Sequence, residues 1–424
     1  MKLWCAELGN CRIAKLSPEF GHSFNFSQVK IMQRRSFITA VGGTVILAAC
    51  GSDTSGNSVQ SDFPADTVQA WAGPSAGLAS DVGRWAVSYA ILAPNPHNRQ
   101  PWIVDLREDN AITLYCDRNR MLTHTDPFGR QILIGHGAFL EILAQALAQQ
   151  GIAADVHLFP QGEQAPALAD WDARPIARVT LGQVGSAKSD ALFAQVLKRH
   201  TPKIDFDTSR EISAQTQGLL QQAGTAFGAQ AGGTLQADKR DALRQLCWES
   251  AKVELLTPRT VMESVQLTRV GPTEIRANPD GITLNSPMIR IFDSLGMFDR
   301  SNPPTEGSQA YKIMMSRFEG HSKTAMGFVW VTTSDNSRAT QVNAGRAYVR
   351  LQLQATALGV GVHPMSQALQ EFAEMRTHYQ RAHELVLGER ANLGHIVQML
   401  CRVGYPAKPA GATPRRDLAR FIQG

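Results

Sequence analysis

The chain has 424 residues, with 42 Lys and Arg against 37 Asp and Glu, for a formal net charge of +5. Residues 1–49 hold six of those cations (Lys2, Arg12, Lys15, Lys30, Arg34, Arg35) and two acids (Glu7, Glu19), a net of +4, so the rest carries about +1. That balance leaves no basic excess for a nucleic-acid face. Cys116, Cys247 and Cys401 are widely scattered, with no C-x-x-C and no His at ligand spacing. This argues against a metal site or a disulfide framework and for small buried hydrophobes.

The amino terminus is an address. Arg34-Arg35-Ser36-Phe37-Ile38 is a twin-arginine pair leading into an uncharged run from Phe37 to Ala49. The run is too short to anchor in a bilayer, which takes roughly 20 apolar residues, and fits the h-region of an export signal read by the twin-arginine machinery. Leu47-Ala48-Ala49-Cys50 resembles a lipoprotein processing site, so Cys50 is expected to carry a lipid anchor. Met32 makes a more ordinary signal start than Met1. The expected division is residues 1–50 as export signal and 51–70 as flexible linker, then a first unit at 71–185 and a second at 186–424. The destination is the periplasm or cell envelope.

From Gly77 the pattern predicts a helix to Leu92, two strands at Trp102 to Leu106 and Ala111 to Cys116 around a polar turn, and an amphipathic helix over about Arg130–Gln150. Strands at Val156–Phe159 and Ala177–Leu181 close this α+β unit. Small polar residues at 182–189 open the second, with helices at Asp190–Arg199, Ile212–Ala223 and Asp241–Leu255. A strand at Met326–Thr332, a helix at Ser337–Leu358 ending on Gly359 and a strand at His395–Val403 complete it. The stretch Val265–Asn302, with Pro-Asp-Gly and Asn-Pro-Pro, reads as loop.

Four segments carry candidate chemistry. Arg199-His200-Thr201-Pro202-Lys203 sets cations and a hydroxyl where a helix gives way to a loop, a pattern that can wrap a phosphate or be only a solvated basic helix end. Ala93-Pro94-Asn95-Pro96-His97-Asn98-Arg99-Gln100-Pro101-Trp102 brackets amides with prolines, which suits reading the edge of a planar ring. Leu358 to Gln367 contains His363, Pro364, Met365 and Ser366 after a Gly-terminated helix. Arg415-Arg416 is a cation pair near the end.

These segments resemble motifs of FMN-dependent nitroreductases: an Arg-His-Ser or Arg-Arg-Ser triplet with a later cation, an A-P-S-x-x-N-x-Q-P-W loop, an A-x-x-L-G-L-G stretch and a C-terminal cation pair. The chain departs from them at Pro202, which removes a backbone donor, and at Asn95, where Ser is usual. Asp117-x-x-Arg120, Asp126-Pro127-x-Gly129-Arg130, Gly135-x-Gly137-Ala138 and Arg269-x-Gly271-x-x-Glu274 are similar to stretches of the Acg-like group, in which two halves share a chain.

The resemblance implies an α+β nitroreductase-like fold of two fused halves forming a monomeric pseudo-dimer, with one FMN between them. Arg199, His200, Thr201, Lys203, Arg415 and Arg416 would hold its phosphate, and Pro94, Asn95, Asn98, Gln100, His363, Pro364, Met365 and Ser366 would line its ring. The implied activity is reduction of a small-molecule acceptor, a nitroaromatic or quinone. The alternative is an exported flavin-sequestering protein. No catalytic side chain is assigned, and no metal.

Overall fold

The computed structural model describes residues 63–296 and 299–423. Arg34, Arg35, Cys50 and the tether to Asp62 lie outside the described residues. Residues 59–424 form one compact unit.

The first sheet grows from the amphipathic segments predicted for it. Its strands are β1 (Trp102–Asp105), β2 (Ala111–Cys116), β3 (Ile152–Leu158) and β4 (Ala177–Val184). Before them run α1 (Ala65–Val68) and α2 (Val82–Ala90), the latter started by Asp81, whose carboxylate accepts from the Arg84 amide. Between β2 and β3 runs α3 (Arg130–Gln149). It is long and apolar enough to cross a membrane by composition, but 83% of that window is buried inside the protein, so it is a core helix. Asp126 caps it by accepting from the Gln131 and Ile132 amides at 3.1 and 2.9 Å.

The second unit contains α4 (Ala214–Gly224), β5 (Gln230–Thr234), α5 (Ala237–Leu256), α6 (Pro258–Gln266), β6 (Thr268–Val270), α7 (Gly271–Ala277), β7 (Ile282–Leu284), α8 (Pro287–Ser294), α9 (Gln309–Lys323), β8 (Gly327–Thr333), α10 (Arg338–Ala357), β9 (Gly361–Pro364), α11 (Arg376–Leu387), β10 (Ile396–Gly404) and β11 (Ile422–Gln423). Strands β5-β8-β10-β9 make an antiparallel sheet, and β6-β7 a parallel pair. The last strand, β11, joins the first sheet, pairing parallel with β1 in the order β11-β1-β2-β4-β3.

Two expectations change. The segment predicted as helix over Asp190–Arg199 is a 3-10 helix, Ala191–Lys198. The stretch predicted as loop from Val265 to Asn302 holds the two strands β6 and β7 and the two helices α7 and α8. Its elements are three to eight residues long, too short to show a period.

The long helices α3 and α10 cross at the centre, and glycine permits the crossing. A Cβ on Gly137 would stand 1.8 Å from the Val342 carbonyl oxygen, and one on Gly345 would stand 2.0 Å from that of Ile134. The two contacts are reciprocal, each glycine lying three residues after the residue whose carbonyl the other glycine meets. Each helix also feeds the other's core: Val342, Val349 and Leu353 of α10 pack with the first sheet, and Ile134 of α3 with the second. Glu141 of α3 spans the crossing, pairing with Arg346 at 3.2 Å and Arg350 at 2.8 Å.

Candidate functional site

The site is assembled where the segment after the 3-10 helix, the end of α2, helix α9 and the C-terminal arm meet. Arg199 is buried and donates to Gln352 Oε1 at 2.9 Å and to the Leu92 carbonyl at 3.0 Å. Arg415 is also buried and donates to the Ile91 carbonyl at 3.0 Å, the Leu92 carbonyl at 3.2 Å and Asn98 Oδ1 at 2.8 Å. Both guanidiniums thus grip the carbonyl end of α2, where a helix dipole favours cations. Trp71 is shared between them, 5.6 Å from Arg199 and 5.0 Å from Arg415, with the His200 ring 4.5 Å away.

Lys203 reaches solvent, yet surrounding protein and the charges of Arg317 and Arg415 push it down to about 8. Arg317, on α9, is likewise exposed and depressed by the protein packed around it. Gly320, one turn on, lets α9 pack closely against Asp205, because a Cβ there would stand 2.6 Å from Asp205 Oδ1. Gly361 and Gly404 likewise leave room for Pro202 and Phe206.

Beyond Lys203, Arg402 of β10 is fully buried and donates through Nε to Nδ1 of His363, its register partner on β9, at 3.0 Å. A guanidinium can only donate, so Nδ1 accepts and the His363 proton sits on Nε2. His321 of α9 meets His363 edge to face at 4.9 Å between ring centres.

The electrostatics have one sign. Burial, then neighbouring cations, hold His97 at about 4, His200 at about 4 and His321 at about 3, and push His363 well below its ordinary value. Burial also lowers Arg199 to about 10, Arg415 to about 9 and Arg402 to about 9. Guanidiniums stay charged at neutral pH, so these depressions mark positive charge without enough negative charge beside it. Among the described residues, no carboxylate offsets the shift at Lys203, Arg199, Arg415 or Arg317; the Tyr348 phenol opposes it at Arg199, and Asp205 opposes it at Arg402. Buried polar atoms there also lack partners among the described residues: His97 Nδ1, Arg199 Nε, His200 Nδ1 and both His321 nitrogens, although one of the latter faces the Lys203 backbone. Buried polar groups are normally satisfied, so an anionic, acceptor-rich group fits this place.

The loop from Pro94 to Trp102 forms the adjoining wall. His97, Asn98 and Gln100 all have positive φ, at 47°, 49° and 50°, a strain that surrounding structure must hold in place. Asn95 accepts from the Gln100 amide at 2.7 Å and sits on Gly135, whose Cβ would be 3.2 Å from its own. Gln100 is fully engaged, donating to Asn98 and Pro279 carbonyls and accepting from the Arg416 amide at 2.9 Å. Asn98 donates to the Pro414 carbonyl at 3.0 Å. Asp280 then ties the 258–302 excursion to Arg99 of this loop at 3.4 Å and to Arg120 beyond β2 at 2.6 Å, and pairs within the excursion with Arg269 at 3.1 Å.

The structure therefore brings together Arg199, His200, Thr201, Lys203, Asn98, Arg415 and His363. Thr201 accepts from Arg199 at 3.4 Å. Pro94 is half-buried at the head of the loop. Arg416 turns elsewhere, stacking 4.8 Å over Phe421 and donating to the Gln100 and Arg420 carbonyls. Pro364 pairs with Cys401 on β10, Met365 packs in the core with Leu243 and Cys247, and Ser366 opens a short 3-10 helix. Trp71, Arg317, His321 and Arg402 escape a reading of the sequence, since each is isolated in the chain. Cys116, Cys247 and Cys401 are free thiols.

No family model matches the chain. It is 36% identical over 133 residues to the Mycobacterium tuberculosis protein "Putative NAD(P)H nitroreductase acg", an alignment covering 31% of this chain and 38% of that protein. A second Mycobacterium tuberculosis protein with the same kind of name is 25% identical over 353 residues, 81% of this chain and 92% of that one. The chain thus spans 38% of the length of the first curated relatives it matches. Among solved structures, the FMN-dependent nitroreductase NfnB from Mycobacterium smegmatis in complex with NADPH aligns with 54% of this chain and 94% of its own, at 17% identity and a TM-score of 0.32. The chain is an α+β protein with homologues named as nitroreductases.

Proposed function

We propose that the chain binds FMN and is an FMN-dependent oxidoreductase that transfers two electrons to nitroaromatic or quinone-type acceptors. The observation that carries this is the convergence of Arg199, Lys203, Arg317 and Arg415 with no carboxylate acting on any of them among the described residues. A phosphate monoester, dianionic at neutral pH and rich in acceptors, matches the excess charge and the unpartnered donors. The likeness to proteins named as NAD(P)H nitroreductases supports the same cofactor class.

In this reading Arg199, His200, Thr201, Lys203, Arg317 and Arg415 hold the phosphate end. Asn98 and the strained loop around it border the ring end, and His363, kept neutral, offers an Nε2–H donor. The flavin would supply hydride and electron transfer; the protein supplies position, charge and a shaped cavity. The two halves meeting at α3 and α10 make one chain sufficient, so a monomer with one site is the proposed state. Export by the twin-arginine route, which suits a protein folded around its cofactor, and acylation at Cys50 complete the proposal.

A second reading, flavin sequestration with little NAD(P)H-dependent activity, is favoured by the Asp280 clamp, which ties the 258–302 excursion to the 94–102 loop. The visible spectrum of the purified protein separates the two. Bound flavin that bleaches with anaerobic NADPH and recovers with a quinone supports the oxidoreductase. Flavin that bleaches with dithionite but not NADPH supports sequestration, and a protein that takes up no flavin contradicts both.

A further inference from the structure

The 258–302 excursion carries a surface that no core accounts for. Helix α8 turns Met288 and Ile291 to solvent, and Leu295 follows just past its end, at 50%, 52% and 67% exposure. The spacing i, i+3, i+7 makes them one helical stripe. The other side of α8 faces the protein: the Arg290 stem lies 3.8 Å from where a Gly271 Cβ would stand, and Asp293 is 3.8 Å from Arg300. An amphipathic helix of a globular protein normally turns its apolar stripe inward, and clustered exposed hydrophobes mark a contact surface.

We propose that this face docks on a phospholipid bilayer, with Met288, Ile291 and Leu295 entering the interface. The choice of occupant rests on the lipid-anchor reading of Cys50. Between Cys50 and the first described residue, Phe63, lie 13 steps of chain (63 − 50), which at about 3.6 Å per residue extend no further than roughly 47 Å. A body so tethered meets the membrane continually. One lipid chain alone gives reversible binding, and an apolar helical face laid into the interface is a second contact that strengthens it. The lipid-anchor reading of Cys50 belongs to the proposed function, and the choice of occupant rests on it.

The test uses the protein from Gly51 onward, without acyl chain, since residues 59–424 form a compact unit of their own. Co-sedimentation with vesicles of phosphatidylethanolamine and phosphatidylglycerol is compared with that of the Met288→Gln, Ile291→Gln, Leu295→Gln triple variant. The unmodified sequence should partition onto vesicles, and the variant should lose at least about tenfold of that partition, with circular dichroism and flavin content unchanged. Three results would overturn the proposal: no vesicle binding, binding equal in the variant, or sedimentation velocity showing self-association through the stripe instead. Flavin content reports on the proposed function separately, so either reading can fail without the other.

Discussion

Arg402 donates from Nε to Nδ1 of His363 at 3.0 Å, and this one bond fixes which ring nitrogen of His363 carries the proton. The cations Arg402, Lys203 and Arg317 and the neighbouring His321 all act against a second proton, after burial itself. His363 should therefore stay neutral, with its proton on Nε2, from pH 8 down to pH 5. Nitrogen chemical shifts of the imidazole across that range should be flat; a midpoint near 6.5 would contradict the arrangement.

Lys203 yields a second prediction, on the cofactor. Its ammonium is lowered to about 8, so above that pH the group loses the charge an anion needs. Anion binding favours the protonated form, so FMN binding takes up a proton there. Affinity for FMN should fall as pH rises from 7.5 to 9.5, by up to about tenfold per pH unit, and Lys203→Gln should flatten the profile. Arg317→Gln should weaken FMN by about 10- to 100-fold, the worth of a charge-assisted hydrogen bond, without loss of thermal stability.

The helix crossing predicts the cost of a methyl group. At Gly137 and Gly345 the obstacle is backbone, at 1.8 and 2.0 Å, so α3 and α10 must move apart. Gly137→Ala and Gly345→Ala should each destabilise by about 1–3 kcal/mol, despite the helix propensity gained. Gly218, in α4 with nothing within 4 Å of a Cβ, is the control. Gly218→Ala should stabilise by up to about 1 kcal/mol. Denaturant unfolding of the three variants checks both signs.

Asp280 is buried against three arginines, and Asp280→Asn would leave Arg99, Arg120 and Arg269 repelling one another. Losing one partner of a buried pair costs about 3–5 kcal/mol. Part of that should appear locally, as faster hydrogen exchange at the Gly281 and Ile282 amides, which bond to the Asn98 and Leu267 carbonyls.

Much of this was legible in the sequence, and the exceptions have physical causes. The apolar periods of α3, α10, β8 and β10 exceed the noise of short elements, and their predicted spans match the structure within a residue or two. β5 was missed because Gln230-Ala231-Gly232-Gly233-Thr234 has no apolar alternation. Its glycines are there for space: a Cβ would stand 2.3 Å from the Trp330 indole nitrogen at Gly232 and 2.7 Å from the Phe328 carbonyl at Gly233. The four stretches without a chemical role have structural ones. Asp117 and Arg120 pair at 3.1 Å, Arg130 ties α3 to Glu371 and Leu369, Gly135 and Gly137 seat the loop and the crossing, and Glu274 pairs with Arg300 while capping Val270.

The cation site was half legible. Arg199 to Lys203 and Arg415 sit close to recognisable spacings, whereas Arg317, His321 and Arg402 converge on them only through the packing of α9 and β10. No local pattern in the chain announces a residue whose partners are 80 or 200 positions away.

The most direct test is equilibrium binding of FMN against riboflavin, which lacks the phosphate, to the flavin-free protein at pH 7. The account predicts that FMN binds at least about 100-fold more tightly, from two or more charge-assisted contacts, and that Arg415→Gln with Lys203→Gln removes most of the difference. Equal affinity for the two flavins, or a preference for FMN that survives both substitutions, would contradict it.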